Sequence, residues 1–201
     1  MNKLDILVTG AGGQGIILAS DIIGETAIAA GYDVKKTDTL GMAQRGGSVV
    51  SHLRIARKVW SPLIRQGEVD LLISLEKLEA ARWASYLSPK GTAIVNDHAL
   101  PPLSVSLGNV RYPSDEEILS ILKHHTGNVH FIPATRRARE LGNVRTLNIF
   151  MLGCASRFMP FTTELWKERI AERLPEHVRQ INLTAFDLGR KEVNGVHIGT
   201  S

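Results

Sequence analysis

Two glycine-rich segments announce the chemistry of this chain. Gly10-Ala11-Gly12-Gly13-Gln14-Gly15 ends the apolar run Ile6-Leu7-Val8 and opens an apolar helical segment. Gly41-Met42-Ala43-Gln44-Arg45-Gly46-Gly47 leads at once into the strand-like stretch 48–55. A strand, then glycines, then a helix start gathers free backbone N–H groups and a positive dipole end at one point. That suits an anionic group, usually a phosphate. The second segment adds one fixed cation, Arg45, and one amide, Gln44, on backbone that a ligand can approach closely. The expected binding residues are therefore Gly10, Gly12, Gly13, Gln14 and Gly15 in one loop, and Gln44, Arg45, Gly46 and Gly47 in the other.

Each loop also has a plainer reading. The first fits the dinucleotide pattern G-x-G-x-x-G, yet its glycines also suit close strand–helix packing alone. The acidic residues that would serve a dinucleotide ribose are poorly placed, Asp33 before the second expected strand and Asp38 beyond it. The second loop reads alternatively as a surface turn. Against that, residues 37–47 form a long polar loop, a kind that is usually a binding element, with Thr37, Asp38, Thr39 and Ser48 around it. No catalytic constellation accompanies the loops. His52, His124 and His125 read as structural, His98 as a site edge without a third member, and Cys154 as an inert core thiol. Arg136, Arg137 and Arg139 read as a solvated basic turn, with phosphate docking as the alternative.

The elements that position these residues follow from pattern. Residues 4–9, 32–36, 48–55, 70–74, 92–97 and 129–132 read as strands, and 14–30, 76–87 and 114–126 as helices. The first two strands with their helix form a βαβ unit, and 48–55 is set to pair with 58–61 across a hairpin at Ala56-Arg57. Residues 88–91 read as a turn, and 99–112 as an irregular connection or edge strand. Ser114 and Glu117 make a capping box. After Pro133 the chain reads helical, over 134–141, 145–158, 162–173 and 176–191. The fold class is α/β, a three-layer α/β/α Rossmann-like domain with a mostly parallel sheet. One domain is expected over 1–201, with an α/β core at 1–132 and a helical C-terminal portion at 133–201.

Composition narrows the classes. The chain has 201 residues, 43% of them hydrophobic, with a formal net charge of +4. The basic residues are scattered and aromatics make up only 5%, so no stacking platform for nucleic acid is visible. No apolar run is long enough to cross a membrane, and no signal peptide precedes the first strand, which points to the cytoplasm. The single cysteine, Cys154, excludes an internal disulfide and a thiolate-ligated cluster built by this chain alone. The apolar helix at 145–158, with Phe158, Met159 and Phe161 beside it, is expected to bury part of its surface against a partner.

The order Gly12-Gly13-Gln14-Gly15-Ile16, then Gly41-Met42-Ala43-Gln44-Arg45-Gly46-Gly47-Ser48-Val49, resembles the gamma-type chain of the 2-oxoacid:ferredoxin oxidoreductase family over nearly its full length. Other members commonly carry Tyr-Gly-x-x-x-Arg-Gly-Gly in the second loop, where this chain has Leu40-Gly41 and Gln44-Arg45-Gly46-Gly47. That wording is similar to the branch acting on indolepyruvate and other arylpyruvates. The resemblance implies oxidative decarboxylation of a 2-oxoacid to an acyl-CoA, with electrons passing to ferredoxin. It also implies that thiamine diphosphate and iron–sulfur clusters belong to a large catalytic partner subunit, and that CoA is the co-substrate. The glycine loops would contact CoA or complete the partner's thiamine site. No residue of this chain is expected to be catalytic or to bind a metal, and the isolated chain is expected to be inactive. A stand-alone NAD(P)-dependent dehydrogenase and an assembly module without a ligand remain the alternatives.

Overall fold

The computed structural model describes residues 3–40, 47–102, 105, 108 and 111–194. Strands β1 (Lys3–Ala11), β2 (Asp33–Leu40), β3 (Ser48–Ala56), β4 (Val69–Ser74), β5 (Leu87–Asn96) and β6 (Asn128–Ile132) form one sheet. Their order is β2-β3-β1-β4-β5-β6, and β3 alone among them runs against its neighbours. Helix α1 (Ile16–Ala29) follows β1, α2 (Lys77–Arg82) follows β4, and α3 (Asp115–His125) precedes β6. Helices α4 (Ala134–Glu140), α5 (Leu147–Ala155), α6 (Thr163–Arg173) and α7 (Glu176–Asn194) complete the described chain.

The strands face two ways because their side chains alternate. Ile6, Val8, Leu71, Ile73 and Ile94 point to one core, shared with Ile22 of α1, Phe150 of α5, Trp166 of α6 and Phe186 of α7. Leu7, Leu72, Ala93 and Val95 point to the other, shared with Ala80, Ile118 and Leu122. The result is the expected α/β/α arrangement, with the C-terminal helices sharing a core with the strands.

Several local expectations differ from the structure. Strand β3 does not fold back onto 58–61. It inserts between β1 and β2, pairing Lys3 with Ala56 on one side and Asp33 with Ala56 on the other. Two flanking strands bury Val50, Leu53 and Ile55 far better than a two-stranded hairpin would. The polar stretch 37–40 belongs to β2, because each residue finds a ladder partner on β3. Residues 88–91 lie within β5, with a register shift between Val69 and Leu71 accommodating them. The helix expected over 76–87 ends at Arg82 and continues as a 3-10 turn over Ala84–Tyr86.

The apolar helix α5 is also a correction. Every residue of α5 is buried, and Met159 and Phe161 are buried beside it. Its hydrophobicity serves this chain's own core, leaving no broad face for a partner. Helix α7 covers it at very short range. A Cβ on Gly153 would collide with the Phe186 carbonyl oxygen, and one on Gly189 with the Phe150 carbonyl oxygen. The two backbones therefore pack against each other through reciprocal glycines.

Two histidines are held neutral by burial. His52 accepts a long hydrogen bond from Ile64 N–H at Nδ1 (3.4 Å) and meets Trp83 and Tyr86 edge-on. His130 packs on Phe158, and its Nδ1 has no partner among the described residues. Burial lowers the pKa of both rings. A lowered folded pKa means that the unfolded chain takes up protons first. Stability is then complete above the ordinary histidine value, about 6.5, and is lost as pH falls through the folded values. The urea midpoint is expected to drop between pH 7 and pH 5, and His52→Gln to flatten part of that slope. An unchanged slope in the variant would refute this assignment.

Candidate functional site

The parallel strands put their C-terminal ends at one edge of the sheet, and the antiparallel β3 begins there. Ala11 pairs with Ser48, so the residue that follows the second glycine segment lies beside the first loop at this edge. Gly12 N–H donates to the Gly47 carbonyl at 2.8 Å. Gln44, Arg45 and Gly46 lie outside the described residues; Gly47 is placed beside the first loop.

The first loop divides its work. Gly10 ends the buried part of β1, and a side chain there would strike Gln14 Oε1 at 2.7 Å and Leu75 Cβ at 3.1 Å. Its glycine thus serves packing. Gln14 is also built into the frame, since Oε1 accepts from Ala11 N–H (2.8 Å) and Nε2 donates to the Leu75 carbonyl (3.1 Å). Gly13 and Gly15 take left-handed backbone (φ 96° and 82°), and Gly15 caps α1 with no side chain to offer. The first-turn N–H groups of Ile16, Ile17 and Leu18 therefore have no intrahelical partner, and the positive end of α1 faces outward.

That end opens on a cavity of about 390 Å³. Gly13, Gln14 and Gly15 form one wall, and His98, Thr135, Arg139, Arg145 and Asn148 are among the others. Asn96 fixes the far wall, donating from Nδ2 to the Leu75 carbonyl (3.0 Å) and to Thr135 Oγ1 (2.8 Å) while accepting from Thr135 N–H (3.1 Å). Asn148, at the start of α5, donates to the Gly15 carbonyl at 3.3 Å. Arg139 and Arg145 are both exposed, and neither has a carboxylate partner among the ion pairs of the described residues. Two guanidiniums without an ion-pair partner among the described residues, lining one cavity with an open helix N-terminus, suit an anionic group.

Sequence reasoning placed Arg139 on a solvated helix turn and did not mark Arg145, Thr135, Asn96 or Asn148. The signal for Arg139 was its offset from its neighbours. Arg137 faces Glu192 (3.1 Å) and Glu140 (3.2 Å), while Arg139, two residues on, points another way. Of the polar groups expected around the second loop, two are already engaged. Ser51 Oγ and Lys36 hold Asp38, and Ser48 Oγ donates to Glu79 at 2.5 Å. Glu79 also pairs with Arg82, and Glu76 receives Tyr112 O–H (2.5 Å) and Leu100 N–H (3.0 Å). Burial and the Glu76 carboxylate push the Tyr112 phenol far up, so it remains a hydrogen-bond donor. This network ties α2 to the chain entering β3 and to the connection after β5.

The dinucleotide reading has no support in this geometry. A ribose carboxylate belongs at the C-terminal end of a strand beside β1. Here β3 occupies that place, so β2 stands two strand spacings away, about 9.5 Å. Asp33 sits at the opposite end of β2, accepting from Val59 N–H at 2.9 Å. A resident iron–sulfur cluster does not fit the donors either. Cys154 is buried with its pKa pushed far up by burial, and no metal-ligating group of three occurs among the described residues. No helix among the described residues is long and apolar enough to cross a membrane.

Comparison with known proteins accords with this geometry. Residues 5–192 match the family described as pyruvate ferredoxin/flavodoxin oxidoreductase. The chain is 37% identical over 194 residues to the indolepyruvate oxidoreductase subunit IorB of Pyrococcus horikoshii, covering 95% of this chain and 96% of that one. In fold it is similar to the gamma subunit of a keto/oxoacid ferredoxin oxidoreductase from Geobacter sulfurreducens, with a TM-score of 0.71, 21% identity, and coverage of 96% and 98%. It is also similar to part of the 2-oxoglutarate:ferredoxin oxidoreductase of Magnetococcus marinus, solved with 2-oxoglutarate, coenzyme A and succinyl-CoA bound. There the TM-score is 0.74 at 22% identity, and the match covers 96% of this chain and 31% of that one. The chain belongs to the pyruvate ferredoxin/flavodoxin oxidoreductase family, as one of its small subunits.

Proposed function

We propose that this chain serves an oxidoreductase that decarboxylates indolepyruvate and related arylpyruvates to the acyl-CoA, with ferredoxin taking the electrons. Its own task is to receive CoA at the glycine edge. The observation that carries this reading is the meeting of the open α1 N-terminus with Arg139 and Arg145 around one cavity. The name of the Pyrococcus relative supports the substrate, and the CoA bound to the Magnetococcus enzyme supports the ligand. Thiamine diphosphate and the iron–sulfur clusters fall to the large subunit, where they supply the decarboxylation and the electron path.

In this reading Gly12, Gly13 and Gly15 give backbone approach and N–H donors, Gln14 keeps the loop's shape, and Asn148 braces Gly15. Arg45, which lies outside the described residues, is assigned a contact with the same ligand on the strength of its residue type and its place in the sequence between Leu40 and Gly47. A ligand phosphate held by both loops would fix the CoA thiol toward the partner's reacting carbon, which is catalysis by positioning.

Arg45 tests the second loop. Arg45→Ala in the assembled complex is expected to raise the KM for CoA about tenfold to a hundredfold, the loss of one charge-assisted contact of roughly 1.5–3 kcal/mol. Arg45→Lys should recover part of it, because the charge stays and the fork is lost. Unchanged constants for both CoA and oxoacid would end the role assigned to this loop.

A further inference from the structure

The stretch 57–67, between β3 and β4, lies at the sheet edge opposite the glycine loops. Ala56 pairs with Lys3, whereas Ser48 pairs with Ala11 at the other end of the same ladder. The two edges are about 26 Å apart, at roughly 3.3 Å per residue over the steps of β1.

This loop is firmly held. Val59 and Ile64 are buried, and their N–H groups donate to Asp33 Oδ2 and His52 Nδ1. Arg54 Nη1 donates to the Leu63 carbonyl at 3.3 Å, and Gly67 N–H to the Ser85 carbonyl at 3.0 Å. On this fixed backbone Trp60 is 86% exposed and Leu63 is 61% exposed. Lys58 lies 5.4 Å from the Trp60 ring centre. Arg57, Lys58 and Arg65 are the ionisable residues of 57–67, which contains no carboxylate; Lys58 pairs with Asp33 of β2 at 3.7 Å, so the exposed Arg57 and Arg65 carry the surplus charge.

An exposed tryptophan on a pre-ordered loop has already met the ordering cost of binding, and it offers a large apolar area to a socket. Its cationic surround selects what brings that socket. We propose that Trp60 and Leu63 form a docking surface for the large subunit, which would present an apolar recess rimmed by carboxylates. A face-to-face contact with a second copy would set Arg57, Lys58 and Arg65 against themselves, and like charges in contact oppose association. The proposal rests on the chain being a subunit and is independent of the reading of the cavity.

The test uses the full chain and its large subunit, purified separately and titrated together. Trp60→Ala is expected to weaken association at least tenfold. Arg57→Glu with Arg65→Glu should weaken it further and reduce its salt dependence. The melting temperature of the isolated chain should stay put in Trp60→Ala, since the side chain is exposed. At saturating large subunit, the Trp60→Ala complex should keep the wild-type KM for CoA, which separates this interface from the cavity. Unchanged affinity in Trp60→Ala would overturn the proposal. So would loss of self-association of the isolated chain with unaltered binding to the large subunit, because the occupant would then be a second copy.

Discussion

Gly189→Ala is expected to cost at least about 3 kcal/mol of stability, the upper part of the usual range for overpacking a core. The added methyl would run into the Phe150 carbonyl oxygen of α5, and the reciprocal change, Gly153→Ala, into the Phe186 carbonyl oxygen of α7. Both oxygens belong to helical backbone, so neither can swing aside as a side chain tip would. The helices must separate along their contact, and gaps then open around Phe150, Phe186 and Trp166, which are all but fully enclosed. Against a typical total of roughly 5–15 kcal/mol, such a loss leaves the protein marginal at 37 °C. Urea unfolding followed by circular dichroism measures it. A midpoint within about 0.5 kcal/mol of wild type for both variants would contradict the backbone contact. Since α5 begins with Leu147 and Asn148, which line the cavity, a surviving variant should also bind CoA less well.

Removing both free guanidiniums of the cavity is expected to have the largest effect on function. Arg139→Ala and Arg145→Ala should each raise the KM for CoA about tenfold to a hundredfold, at roughly 1.5–3 kcal/mol per charge-assisted contact. The double variant should approach the product of the two only if the residues grip separate phosphates; a shared phosphate gives less than additive losses. Both side chains are exposed and have no ion-pair partner among the described residues, so the fold should be untouched. The KM for the oxoacid should move little. Steady-state kinetics with each substrate varied in turn read this out. A double variant with wild-type CoA dependence would remove the cavity from the proposed function, whatever Arg45 does.

The sequence made some of this plain and hid the rest for physical reasons. Ser114 and Glu117 signal a capping box locally, and both of its hydrogen bonds are present. Gly31 marks the end of α1 because only a few residues there decide the matter. By contrast, the place of β3 depends on which strands compete for its edges, and that is decided by burial across the whole sheet. The cavity was half legible. Its glycine wall is a contiguous motif, whereas Asn96, Thr135, Arg139, Arg145 and Asn148 come from three later segments that only the fold assembles. Helix α5 misled for a related reason: an all-round apolar helix announces burial without naming what buries it.

The insertion of β3 between β1 and β2 has a consequence for how this protein can change over evolutionary time. In an ordinary parallel sheet, the loop after a strand must lead into a crossover helix, and its length is constrained by that return path. Here the segment between Leu40 and Gly47 joins two antiparallel neighbours whose ends already pair, Leu40 opposite Val49. Residues can be gained or lost between those ends without asking any helix to move. The first glycine loop is locked under α1 and tolerates little. One end of the sheet thus sets a segment fixed by packing beside one whose length no helix constrains, so change in this protein is easier on one side of that end than on the other.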